Sequence, residues 1–386
     1  MGRALGIAVL ALLSAGAAYY VLSFPSVPSA RVDIGMSYRL QYFLNAYGVK
    51  ELPQANWVLP DSARVEGVPA ISYTKQYCAT TCLQMIASYY GQNLSIHSLN
   101  LITGFTYGAV LFRHGDKVFF IPYSDPFAGL KNASEYLGLR YRFVVTNNSD
   151  AFIEAIKHFI VEGVPVIVPV NAARLYSFSG FVPHFELVVG YDGDSFIIHE
   201  PVTPSPSMPK VVRFDSGVIA KANEDLMKAF GMLWKHGAAV YEPGGARSRS
   251  LMDALRNDGN LLRGFSFKGA NYTIATGSYA LEELAAAVEK GLINKDYLLA
   301  VMEMARVNRA DDAAFIAEEF PCCLKVSAAA QLLENASRIY GEVVEIVRAA
   351  QAGWESRAAS LIRSAARIER VAGMALVDAS YSCRPE

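Results

Sequence analysis

Residues Val68–Gly91 read VPAISYTKQYCATTCLQMIASYYG. From Cys78 onward the apolar positions Cys82, Met85, Ile86 and Tyr89 fall three and four apart, the spacing of one helix face. Gly91 supplies the stop. A cysteine therefore opens a helix. A helix N-terminus carries roughly half a positive charge and unpaired N–H groups. Both favour a thiolate, and the backbone N–H of the cysteine itself is aimed at a developing oxyanion.

A thiolate nucleophile needs an imidazole that takes its proton and later returns one to the leaving group. Downstream, VPHFELVVGYDGDSFIIHEP (residues 182–201) reads as two strands, Phe185–Tyr191 and Ser195–His199, joined through the turn Asp192-Gly193. His184 heads the first strand, and Glu200 follows the second. A tight hairpin sets Glu200 beside His184, where a carboxylate fixes the imidazole tautomer and stabilises the imidazolium. The expected catalytic set is Cys78, His184 and Glu200. Glu186 shares the His184 face and is a candidate substrate contact. His199 belongs to the opposite face and reads as structural. The plainer alternative makes Cys78 and Cys82 two buried thiols, since cysteine is among the most buried residue types.

The stretch CATTCLQMIASYYG resembles the helix of papain-like cysteine peptidases that cleave double-glycine leaders in bacteriocin export. The segment GVPVIVPVNAARLYSFSGFVPHFELVVGYD (residues 163–192), followed by Glu200-Pro201, is similar to the second half of that pattern. The wider pattern resembles the butirosin-biosynthesis protein H family still more. That resemblance implies a papain-like α+β domain, a helical second domain and acyl transfer through a cysteine acyl-enzyme from an acyl thioester. Three positions depart from it. The leader peptidases carry an oxyanion glutamine six residues before the cysteine, where Ser72 stands; Gln76 is the candidate replacement. Ala79 replaces a glycine, and Glu200 replaces an aspartate or asparagine.

The 386 residues are enough for two domains. Hydrophobic residues at 52% and charged residues at 18% exclude a disordered chain. With 35 basic against 36 acidic residues and no Lys/Arg run, nothing attracts nucleic acid. The expected organisation is a signal anchor or signal peptide over 1–30 and a spacer over 31–65 with a short helix near Tyr38–Tyr47. A papain-like domain over 66–215 and a mostly helical domain over 216–386 follow. Ala4–Phe24 is uncharged and long enough to span a hydrocarbon core of about 30 Å. The expected location is therefore the cell membrane with the body outside, or secretion if the segment is cleaved. Sequons at Asn93, Asn132, Asn147, Asn271 and Asn335 fit an outward-facing body.

Five cysteines without CxxC pairs, and no HExxH, point to no metal, and no cofactor is expected. Cys383 is a candidate partner for Cys322 or Cys323, and the sequence leaves that choice open. The expected partners are a peptide or acyl substrate and the membrane. A cysteine peptidase or amide hydrolase leads; an acyltransferase or a non-catalytic papain-like module are the alternatives.

Overall fold

The computed structural model describes residues 46–52, 57–177, 181–203, 205, 208–269 and 272–383. The expected anchor Ala4–Phe24 and nearly all of the expected Tyr38–Tyr47 helix lie outside them. Among the described residues no helix is long and apolar enough to cross a membrane. In chain order the strands are β1 (Val49–Glu51), β2 (Ser62–Arg64), β3 (Val110–His114), β4 (Lys117–Ile121), β5 (Arg140–Thr146), β6 (Val166–Asn171), β7 (Pro183–Asp192), β8 (Ser195–His199), β9 (Val211–Asp215), β10 (His236–Glu242), β11 (Ser266–Lys268) and β12 (Tyr272–Thr276). The chain forms two compact units, one made of described residues up to Leu99 with Leu130–Ser248, the other of Asn100–Gly129 with the residues from Arg249.

The first unit is a mixed sheet in the order β1-β5-β10-β6-β7-β8-β9, with β2 also on β7. Among the described strands, β1 and β5 pair in parallel and the other pairs are antiparallel. β6 is buried along its whole length and reads as a continuous apolar run, as a strand covered on both faces must. Pro169 cannot donate to a ladder, and β10 pairs with β6 only at Val166 and Ile167. Asn223, on the helix Ser216–Ala229, fills the gap. Its Nδ2 donates to Pro169 O (2.7 Å) and Gly237 O (2.9 Å), while Gly237 N donates to its Oδ1 (3.1 Å). A Cβ on Gly237 would lie 2.7 Å from the Phe143 ring and 2.8 Å from Met227, so those side chains would have to shift to admit one.

Two expected boundaries move. The expected first domain does not close at 215: the helix Ser216–Ala229 and β10 belong to the same unit, and β10 lies between β5 and β6. Its pairing partners lie about 70 to 100 residues upstream, beyond any local signal. The expected spacer 31–65 supplies β1 and β2 to the same sheet. These are three-residue strands, too short to show a period of two.

The second unit is helical, with one element that local reading assigned elsewhere. Its long helices are Lys295–Glu319, Leu324–Ala349 and Trp354–Ser382, with Leu251–Arg263 and Gly277–Glu289 preceding them. The aromatic stretch 105–123 contributes β3 and β4, which join β12 and β11 in a four-stranded sheet of this unit. The helices Leu251–Arg263 and Trp354–Ser382 approach at Gly259 and Gly373, where a Cβ on either would come within 2.5 Å of the other's carbonyl. Arg309 is buried at the centre and donates to both oxygens of Glu369 (2.6 and 3.0 Å), which also accepts from Tyr340 (2.7 Å). Cys323 is disulfide-bonded to Cys383, settling the choice left open between Cys322 and Cys323.

Candidate active site

The helix Cys78–Tyr89 starts at the cysteine itself. Its N-cap residue, Tyr77, makes no side-chain cap bond, and no acid occupies the first turn. The positive end of the helix is thus left uncompensated beside the thiol. The helix packs on β7, where the Cys82 thiol donates to Phe185 O at 3.7 Å. Burial, then the neighbouring Cys78, Glu186 and Glu200, hold the Cys82 thiol well above its ordinary pKa. Cys82 therefore stays protonated and packs, while Cys78 stands at the helix mouth.

The structure brings Cys78, His184 and Glu200 together. His184 Nε2 meets Glu200 Oε1 at 2.9 Å, and the Cys78 thiol lies beside the ring. Since Glu200 takes Nε2, the nitrogen left for the thiol is Nδ1. Burial lowers the proton affinity of His184, but the carboxylates of Glu200 and Glu186 and the contacts with Cys78 and Glu200 more than reverse this. Its pKa lies well above that of an ordinary histidine. Glu200 is drawn the other way. Burial raises its pKa, while His184, the Tyr176 hydroxyl and the Val202 N–H (3.0 Å) outweigh burial and lower it. An ionised carboxylate with three donors is the form such a shell stabilises.

The strand register explains why Glu200 reaches His184. Leu187 pairs with His199 after a bulge between Val188 and Gly190. One step further puts Glu200 opposite Glu186, with His184 on the diagonal, still within reach of a long side chain. Two carboxylates are thereby set face to face in a buried place. Burial and the Glu200 charge push the Glu186 pKa well up, so the pair divides into one carboxylate and one acid.

Sequence reading missed Tyr176. It sits just after the short helix Ala172–Leu175, and its hydroxyl donates to Glu200 Oε2. Asn171 holds this loop by accepting from Ala173 N (3.2 Å) and Val182 N (2.9 Å). No spacing rule ties Tyr176 to Glu200; the loop geometry does. Before the nucleophile, Tyr73 N donates to Pro201 O (3.1 Å), Thr203 N to Tyr73 O (3.0 Å) and Ser72 Oγ to Thr203 (2.9 Å). The segment leading to Cys78 is thus stitched to the segment that follows Glu200. Ser72, at the expected glutamine position, makes this stitch; Gln76 lies half-buried in the bend just before the helix.

Of the sequons, Asn93, Asn147 and Asn335 are exposed and Asn132 is half-buried on the helix Pro126–Leu137. Asn147 Oδ1 accepts from Lys235 N at 2.9 Å. Asn271 lies outside the described residues.

Residues 49–214 match the model of the Peptidase_C39 like family, which makes this part of the chain cysteine peptidase-like. No curated protein matches the chain.

Proposed function

We propose that this protein is a thiol hydrolase, a cysteine peptidase or amide hydrolase working through Cys78, His184 and Glu200. The observation that supports this reading is their meeting at the uncapped end of one helix, with His184 bonded to the Glu200 carboxylate and beside the Cys78 thiol. Cys78 gives its proton to His184 Nδ1, and its sulfur attacks the substrate carbonyl carbon. The C–N bond breaks as the imidazolium protonates the departing amine, leaving a thioester on Cys78. Water then attacks with its proton passing to His184. The C–S bond breaks, the carboxylic acid leaves, and the thiol is restored. Glu200 holds the ring and offsets its charge at each step. The Cys78 N–H and Gln76 are the candidate oxyanion donors.

The body works outside the membrane in this reading, anchored by Ala4–Phe24 or secreted after its removal. The Cys323–Cys383 disulfide and the exposed sequons support an oxidising, extracytoplasmic setting. A second reading, acyl transfer of the butirosin-protein-H type, is favoured by one observation: Ser72 stands in place of the oxyanion glutamine, and its hydroxyl is engaged by Thr203.

The test compares the full chain and its Cys78→Ala variant on peptide amides and on acyl thioesters with an added amine. Release of free acid from amides, lost in the variant, is the expected result. Acyl-amine product from thioesters alone puts the transferase reading first. A Cys78 that neither turns over substrate nor reacts with iodoacetamide faster than Cys82 leaves a papain-like binding module and overturns both.

A further inference from the structure

Glu186 is fully buried, and among the described residues no donor meets either of its oxygens in hydrogen-bonding geometry. Its neighbours offer little relief. His184 Nε2 stands 3.5 Å from Glu186 Oε1, beyond a good hydrogen bond, while Glu200 is turned to His184, Val202 and Tyr176. One nitrogen and two carboxylate oxygens, one from each of His184, Glu186 and Glu200, lie within 4.8 Å of one another. Glu186, held as the acid beside ionised Glu200, gives up its proton only to a positive charge placed among these three side chains, and its oxygens have no donor of their own there.

The separations from His184 suit a cation's coordination shell, and the two carboxyl groups, within 4.8 Å of each other, would draw together around the ion. A tetrahedral zinc-class ion with bonds of about 2.0–2.1 Å separates its ligand atoms by about 3.3–3.4 Å. The separations here, 2.9 Å from His184 Nε2 to Glu200 and 3.5 Å to Glu186, bracket that value. An imidazole and two carboxylates are ligands that such ions take, and Tyr176 would orient Glu200 from outside the shell, as carboxylate ligands are commonly held. We propose that His184, Glu186 and Glu200 form a regulatory site for a zinc-class divalent ion that switches the thiol centre off. No metal is required for turnover. The ion takes the Nε2 lone pair, which leaves the ring proton on Nδ1, facing Cys78. An imidazole in that state cannot accept the thiol's proton. The binding claim stands on the three side chains alone, whereas the inhibitory consequence rests on the thiol-enzyme reading above.

The experiment uses the full chain, freed of metal and titrated with Zn²⁺ by calorimetry and with Co²⁺ by absorption spectroscopy. One ion per chain and no sulfur-to-cobalt charge-transfer band are expected. Binding should persist in Cys78→Ser and weaken at least about 100-fold in Glu186→Gln, whose unfolding midpoint is recorded in parallel. If Glu186→Gln does not fold, Glu186→Asp decides: weaker one-to-one binding supports the site, unchanged affinity overturns it. No stoichiometric ion, or a sulfur–cobalt band that disappears in Cys78→Ser, also overturns it. Iodoacetamide labelling of Cys78 with and without Zn²⁺ separates the two ideas. A thiol inert even in metal-free protein sinks the enzyme reading while leaving the metal site intact; labelling unslowed by bound Zn²⁺ overturns the switch.

Discussion

Tyr176 donates its hydroxyl to the Glu200 oxygen that His184 does not use, so the two residues grip the carboxylate from opposite sides. Tyr176→Phe keeps the ring and removes that donor. A buried acceptor left unpaired costs about 1–3 kcal/mol. With Glu200 free to turn, acylation of Cys78 should fall by about tenfold, since about 1.4 kcal/mol corresponds to that factor. Iodoacetamide kinetics at Cys78 and the urea midpoint of the variant measure both effects.

Glu200→Gln tests the charge rather than the shape. The amide can still meet His184 Nε2, but it no longer offsets the imidazolium. By analogy with other nucleophile–imidazole–carboxylate sites, turnover should fall by about 10²- to 10⁴-fold with little change in folding. Turnover within a fewfold of the parent would remove Glu200 from the mechanism.

Asp312 in the helical unit carries a pH-dependent stability term. Burial raises its pKa to about 7, against the opposing pull of Arg309 and of the Thr106 hydroxyl. The folded chain therefore holds a proton that the unfolded chain, near about 3.9 for Asp, has released. This contribution is fully present below about pH 4 and is lost as pH rises through about 7. Asp312→Asn removes the titration. Relative to the parent it should gain about 2–3 kcal/mol of stability between pH 5 and 8, since the stretch from pH 5 to about 7 contributes about 1.4 kcal/mol per pH unit. Urea unfolding at the two pH values measures the difference; a constant offset between parent and variant would contradict it.

The Cys323–Cys383 disulfide closes a loop across 60 positions. Chain entropy assigns such a cross-link about 4 kcal/mol, and measured losses commonly run about 2–5 kcal/mol. Cys383→Ser should lower the stability of the helical unit by that order. Peptide mapping without reduction should recover the 323–383 pair and no cross-link at Cys78.

The local elements of the site were readable because they depend on short-range physics. The helix from Cys78 was written in three-and-four spacing, and the β7–β8 hairpin in the Asp192-Gly193 turn. The helix Ser149–Val161 likewise follows a local rule, its cap Asn148 accepting from the N–H groups of Asp150 and Ala151. Tyr176 and the burial of Glu186 were not readable: each depends on a loop conformation or a cross-strand register set elsewhere in the chain.

By itself, then, the amino-acid order determined that a cysteine begins an amphipathic helix, that His184 and Glu200 flank one hairpin, and that the last third is rich in helix. Periodicity and turn chemistry act over a few residues, so they survive in the linear chain. Tertiary structure alone decided that β1, β2 and β10 complete the large sheet, that residues 100–129 leave the first unit for the second, and that Glu186 faces Glu200. Those outcomes arise because strands join wherever burial and hydrogen bonding are best satisfied together. That balance is struck between segments far apart in sequence, where no local pattern records it.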